Sequence, residues 1–420
     1  MTRIILHDFG GYPFPIQLSR ALARRGHDVL HLHAAGFRAP KGVMERRASD
    51  PPTLKVEAVV LSEPSHENRF TRRLFQERRY GKQLARHITA FDPEVVISAT
   101  SLLSAQDAAA AASHRAGASF VFWIQDLYSI AVGRILGRRI PIAGRLIGGR
   151  FEAFERRILQ ASDAVIAITD AFLPTLARWR IPKERISVIE NWAPLEEVVP
   201  GSKANPWSRH HGLADATVFL YSGTLGRKHD PAVLIALAQA LPEAKVVVVA
   251  EGHGADWLRQ NTGDTRNLLL LPFQPADRLS EVLASADVLV ALLEPDAGSF
   301  SVPSKVLTYL TAGRAILASI PPTNLAAATI RAAGAGRVVD SGDTGGLIAA
   351  ARALIDDPAE LVAAARAGRA YAVSTFDIDP ITDRFEAIIR ASVRPDHGPK
   401  MAPPPDTSGS LHGSGAETNL

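Results

Sequence analysis

A chain of 420 residues, 46% hydrophobic and 21% charged, has the composition of a globular protein, and its length predicts two domains. It has no cysteine, which excludes a disulfide scaffold, a thiolate metal site and a cysteine nucleophile. The net charge of +4 conceals an asymmetry: residues 1–198 carry 28 basic and 20 acidic side chains, and residues 199–420 carry 19 and 23, so +8 faces −4.

The N-terminus, Met1-Thr2-Arg3-Ile4-Ile5-Leu6, reads as a first strand. It lacks the basic head and long apolar core of a signal peptide, and no run reaches the ~18 apolar residues of a membrane span. The expectation is a cytoplasmic protein. Strand candidates then follow at Ile4–His7, Asp28–Leu32, Leu54–Val60, Val95–Ser98, Ser119–Ile124, Ala164–Ile168 and Ile186–Ile189. A second set lies at Thr217–Ser222, Lys245–Ala250, Leu268–Leu271, Val288–Ala291, Ala315–Ala318 and Gly336–Val339. These runs are mostly continuous rather than alternating in apolar character, as strands buried on both faces of a parallel sheet are. Helical stretches between them, such as Ile16–Arg25, Pro231–Ala240 and Pro303–Ala312, stop near Gly26, Pro242 and Gly313. Repeated strand-helix units predict a doubly wound α/β architecture.

The pattern restarts after a polar stretch from Pro200 to Gly212. The expected organisation is a Rossmann-like domain at 1–198, a second at 199–375, a segment at 376–393 that packs back on the first domain, and a disordered tail at 394–420. Two basic segments mark the first half. Residues 66–91 include Arg72, Arg73, Arg78 and Arg79, and residues 133–157 include Arg134, Arg138, Arg139, Arg145 and Arg150. Apolar residues interleave at helical spacing, which suits an anionic membrane surface at ~1 kcal/mol per cation, or else a solvated helix face over a core stripe. Interleaved aromatics and a recognition motif are missing, so nucleic acid is not an expected partner.

In doubly wound sheets ligands bind beyond the carboxyl ends of the strands. After the first strand, Gly10-Gly11 lets the backbone approach a ligand and leaves amides free at a helix start. It is not G-x-G-x-x-G, so a dinucleotide is not expected. Asp126 follows the strand Ser119–Ile124, where it faces the cleft or caps a helix. The run Ser222-Gly223-Thr224-Leu225-Gly226-Arg227-Lys228 sets amides beside cations, as a diphosphate requires. Glu251-Gly252 follows the next strand and allows a nucleoside to pack on the backbone. Ser301-Val302-Pro303-Ser304-Lys305 opens a helix, where hydroxyls, amides and a cation stabilise phosphate. No metal-ligand motif occurs, and Asp377-Ile378-Asp379 reads as a surface turn.

These residues resemble a family. The Gly10-Gly11 loop, Phe151-Glu152-x-x-Glu155-Arg156-Arg157-Ile158-Leu159 before Ser162-Asp163-Ala164, the Ser222–Lys228 run and Val302-Pro303-Ser304-Lys305 through Ala312-Gly313 together look like a GT-B glycosyltransferase of the retaining family numbered four. The Pro-Ser-Lys variant is similar to transferases of bacterial capsule, O-antigen and colanic acid. The resemblance covers the chain to about residue 392. It implies a nucleotide sugar, by expectation a UDP-sugar, in the second domain and a lipid-linked or oligosaccharide acceptor at the first. It further implies transfer with retention, no metal or other cofactor, and a peripheral place on the inner membrane face.

By the same resemblance Asp126 and Lys228 are the expected catalytic groups. Lys228 and the amides and hydroxyls near Ser301 and Ser304 would hold the diphosphate, with Arg227 and Lys305 as helpers. Gly10, Gly11, Gly223 and Val302 would belong to the donor site, and Glu251 and Gly252 would lie near the nucleoside with Phe273 near the base. Gln125 stands where the family often has histidine. The family's two glutamates fall at Phe300 and Thr308, and Thr224 takes the place of an arginine after Gly223. A nucleotide-sugar epimerase of the same shape and a non-catalytic nucleotide-sugar-binding subunit are the alternatives.

Overall fold

The computed structural model describes residues 1–36, 42–60, 70–99, 101–226, 228–298 and 300–394, with backbone alone at 70–75, 135, 138, 139 and 141. Most strands form where the chain is continuously apolar, and Leu54-Lys55-Val56-Glu57-Ala58-Val59 is the alternating, partly exposed exception at the edge of its sheet. The first sheet contains β1 (Arg3–Asp8), β2 (Asp28–Ala34), β3 (Leu54–Val59), β4 (Val95–Ala99), β5 (Ser119–Ile124), β6 (Ala164–Ala167) and β7 (Ile186–Val188). The second contains β8 (Val218–Ser222), β9 (Lys245–Val249), β10 (Leu268–Leu271), β11 (Val288–Leu292), β12 (Ala315–Ser319) and β13 (Gly336–Val339). All thirteen predicted runs are strands, with ends within two residues of the expectation.

Every pairing is parallel, in the orders β3-β2-β1-β4-β5-β6-β7 and β10-β9-β8-β11-β12-β13. Each order reverses beside its first strand, which opens a crevice at that carboxyl edge. Central strands such as β5 and β11 are buried along their whole length. That burial explains why their sequences do not alternate.

Two buried carboxylates start the segments that lead to the crevice. Asp8 accepts from the amides of Gly10 at 3.3 Å and Tyr12 at 2.5 Å. Glu155 accepts from the amides of Tyr128 at 3.1 Å and Ser129 at 2.9 Å, capping the helix Tyr128–Arg139 from the neighbouring helix Pro141–Ala161. The glutamate-rich run before β6 thus has a structural use. Glu155 is a cap, and Glu152 accepts from the Trp179 indole at 2.7 Å.

The chain returns to the first lobe at its end. Helix Ile378–Ser392 buries Ile381, Phe385 and Ile389, one stripe at helical spacing. Phe385 sits 4.9 Å from the Trp123 ring and 6.0 Å from Trp192, and those indoles stack at 5.8 Å. Arg25 ties the same helix through Asp379, Asp383 and Glu386 at 3.2, 2.5 and 3.0 Å. The Asp377-Ile378-Asp379 expectation is corrected here. Asp377 is the helix cap, accepting from the Asp379 amide at 3.0 Å, and so begins the helix instead of forming a free turn. The helix expected from Pro303 begins at Lys305. Residues 395–420, most of the expected tail, lie outside the described residues.

Replacing Phe385 by Ala should cost about 3–5 kcal/mol, because the cavity would be walled by two rigid indoles. Urea unfolding followed by tryptophan emission measures it, and a loss under 1 kcal/mol would contradict the packing. Burial pushes Asp8 up from 3.8 to about 7, against the lowering effect of its backbone hydrogen bonds. Between those values the native state holds the extra proton, so this contribution is complete below 3.8 and is lost as pH rises through about 7. The stability difference between wild type and Asp8→Asn should therefore fall from pH 4 to pH 8. A flat or rising difference would reject it.

Candidate active site

The carboxyl edges of the two sheets face each other, and one contact joins them. Asp126, just past β5, and Ser301, in the loop after β11, form an isolated antiparallel bridge. The Leu127 amide donates to the Phe300 carbonyl at 3.2 Å. The Lys228 ammonium, from the loop after β8, donates to Ser301 Oγ at 2.5 Å and Asp126 Oδ2 at 3.3 Å. Three strand ends thus meet at one cation. Ser301 is fully buried, and Asn324 Nδ2 fixes its carbonyl at 2.9 Å while the Asn324 carboxamide oxygen caps the helix Leu325–Ala332. Lys228 is anchored through its own carbonyl, which accepts from the Glu294 amide at 2.9 Å.

Beneath this contact lies a tightly folded floor. Gly223 has φ +120°, a conformation that favours glycine, and its amide donates to the Val249 carbonyl at 3.0 Å. Tyr309 OH accepts from the Ser222 amide at 2.9 Å and donates to the Ser222 carbonyl at 3.0 Å. Lys305 Nζ lies under Gly223, 3.4 Å from the centre of the Tyr221 ring, with no hydrogen-bond partner among the described residues. Burial, with the Lys228 ammonium adding to it, pushes the Lys305 amine well below the usual lysine range. Burial and the two lysines likewise hold His229 low, and as a neutral ring its Nδ1 accepts from the Gly226 amide at 3.0 Å.

Between the lobes is a cavity of about 280 Å³. Of the expected residues, Asp126, Gly223, Lys228, Val302, Ser304 and Lys305 line it, and Ser301 joins through Lys228. Glu251, Gly252 and Phe273 lie outside its wall. Gly252, at φ +109°, brings two loops together: a Cβ there would sit 3.1 Å from the Leu225 carbonyl, and the Leu225 amide reaches the Glu251 carbonyl at 2.9 Å. The free amides expected at Gly10-Gly11 are corrected. Asp8 takes the Gly10 amide with its carboxylate and the Gly11 amide with its carbonyl, and the Tyr12 ring occupies the space beside Gly10. Arg227 lies outside the described residues.

Gln125 and Asn191 exchange carboxamide hydrogen bonds at 3.3 and 2.6 Å, which fixes Gln125 against the segment that follows β7. Sequence reading did not single out Tyr12, Phe14, Trp192, Leu279, Leu283 or Tyr309 as cavity walls. Those of the first lobe come from the segments after β1 and after β7, far apart in sequence, and the cavity joins them only after folding. Of the expected membrane cations, Arg78 and Arg79 are exposed, and the side chains of Arg72, Arg73, Arg138 and Arg139 are outside the described residues. Arg134 differs from its expectation. Its guanidinium lies 5.2 Å over the Phe300 ring and donates to the Asp296 carbonyl, so it clasps the second lobe.

Residues 15–197 match the family model Glycosyltransferase Family 4, and residues 216–357 match Glycosyl transferases group 1. A glycogen synthase of Mycobacterium tuberculosis is 27% identical over 419 residues, covering 91% of each chain. Sucrose-phosphate synthase from Thermosynechococcus elongatus superposes with a TM-score of 0.70 at 16% identity, covering 93% of this chain and 99% of its own. The Anabaena protein HepE, in complex with UDP-glucose, gives 0.69 at 16% identity, covering 93% and 100%. With both lobes matched in order and the sheets facing across one cleft, the chain belongs to the family 4-like glycosyltransferases of the GT-B fold.

Proposed function

We propose that the chain moves a sugar from a nucleotide sugar, UDP-linked, to a lipid-linked glycan during bacterial surface-polysaccharide synthesis, with retention and without a metal. The observation that carries this reading is the Lys228 ammonium held between Asp126 and Ser301, where loops after β5, β8 and β11 converge. A diphosphate entering the cavity would compete with Asp126 for Lys228, and the Ser304 hydroxyl lies on the same wall. HepE holds UDP-glucose in its own structure, which makes UDP the first nucleotide to test.

In the proposed step the bond from the anomeric carbon to the diphosphate oxygen breaks, and the acceptor oxygen bonds to that carbon on the same face. The acceptor proton passes to the departing phosphate. Catalysis is then positioning plus stabilisation of the leaving charge, with Lys228 supplying that charge in place of a metal. Phe300, at the place of the family's first glutamate, is a buried ring under Arg134. The sugar-facing acid is therefore Asp126, supplied from the opposite lobe. The first-half charge of +8 suits an anionic, lipid-linked acceptor at the inner membrane face. No described helix is long and apolar enough to cross a membrane.

Thermal shift against UDP, GDP, ADP, CDP and dTDP should single out UDP. Lys228→Ala should weaken UDP binding roughly 10–100-fold while leaving uridine unchanged, since a charge-assisted contact to phosphate is removed. Asp126→Ala should slow transfer roughly 100-fold with UDP affinity near wild type. Normal transfer by both variants would reject the site. Proton NMR of the product reads the anomeric configuration, and an inverted product would reject retention.

A further inference from the structure

The helices Tyr128–Arg139 and Pro141–Ala161 form an antiparallel hairpin whose turn lies at Ile140. Its tip exposes three large apolar side chains to water: Ile142 at 81%, Leu146 at 70% and Ile140 at 46%. Ile142, Arg145, Leu146 and Gly149 share one helix face, and Arg145 and Arg150 are exposed beside the apolar pair. From Tyr128 to Phe151 there are five arginines and no acidic residue.

Toward its tip the hairpin is held by close glycine contacts, and at its base the Tyr128 and Phe151 rings meet, with centroids 6.5 Å apart. Gly133 and Gly137 on one helix, and Gly144 and Gly148 on the other, each have the spacing G-x-x-x-G. A Cβ on Gly148 would lie 2.7 Å from Gly133 Cα, and one on Gly144 would lie 2.4 Å from the Leu136 carbonyl oxygen. Close backbone packing of this kind does not depend on the hydrophobic effect, so it survives contact with hydrocarbon. The first helix has 12 residues, about 18 Å, which is too short to span a bilayer.

We propose that the tip of this hairpin enters the headgroup region of an anionic bilayer. Ile140, Ile142 and Leu146 pass below the phosphates, while Arg145 and Arg150 meet the phosphates themselves. The occupant of the apolar patch is lipid rather than protein because the patch is framed by cations without one carboxylate from Tyr128 to Phe151. This deepens the membrane placement under the proposed function and rests on it.

The chain has no cysteine, so one introduced cysteine is labelled cleanly. Leu146→Cys and, as a control on the other lobe, the exposed Val362→Cys are labelled with a polarity-sensitive fluorophore. Each is mixed with phosphatidylcholine vesicles, with and without phosphatidylglycerol. The dye at 146 should shift to the blue and resist iodide quenching on the anionic vesicles, and the dye at 362 should not. Ile142→Ser with Leu146→Ser should lower vesicle partitioning at least about tenfold, while the UDP-induced thermal shift is retained. A dye at 146 that stays in water while the protein sediments with vesicles overturns the proposal, as does equal insertion into neutral vesicles. A lipid-free dimer that the double variant dissociates also overturns it, because a second copy would then cover the patch. Loss of the nucleotide response with insertion intact counts against the proposed function alone.

Discussion

One ammonium decides the geometry of the cleft. Lys228 comes from the second lobe and reaches both Ser301 of its own lobe and Asp126 of the other. A cation on a flexible stem would normally seek water. Here its carbonyl is pinned by the Glu294 amide, and Ser301 is pinned in turn by Asn324. The site is therefore supported from behind by groups that never face the cavity. Such support is what allows a binding constellation to stay in place without a ligand. It also joins the lobes at the spot where charge is needed.

The crossings between the lobes run over one aromatic cluster in the first lobe. The chain crosses between them after β7 and once more before helix Ile378–Ser392. Phe14, Trp123, Trp192 and Phe385 come from four separate segments and pack edge to face or stacked in one cluster. Aromatic rings supply large contact areas with few rotatable bonds, so the crossing is stiff. The C-terminal crossing is thus fixed to the first lobe by aromatic packing, while ionic and backbone hydrogen bonds join the lobes at the cleft.

Much of this was legible from residue order, and the reasons are local. Strands such as Ser119–Ile124 and Leu268–Leu271 are bounded by their own composition, so a parallel buried sheet follows directly. The loop residues Gly223, Lys228 and Ser304 were legible because glycine, cations and hydroxyls after a strand have few other uses. What could not be read depends on long-range contact. The amides of Gly10 and Gly11 looked free because nothing in the order of residues shows that the Asp8 carboxylate folds back on them. Arg134 looked like one cation among many until its ring partner, Phe300, was placed beside it. The Trp192 wall sat in a stretch that read only as a boundary.

The Arg134 clasp gives the departure at position 300 a physical reading. A glutamate there would place a carboxylate at a buried position, and its attraction to the exposed arginine must repay the desolvation of that carboxylate. A phenyl ring keeps the guanidinium in place through its face and needs no such repayment. The loop that carries Ser301 is then set by an arginine on the root of the glycine-packed hairpin. That hairpin begins at the Glu155-capped amides of Tyr128 and Ser129, two and three residues after Asp126. Asp126, the cap, the clasp and Ser301 thus form one continuous path of contacts from the hairpin to the cation in the cleft.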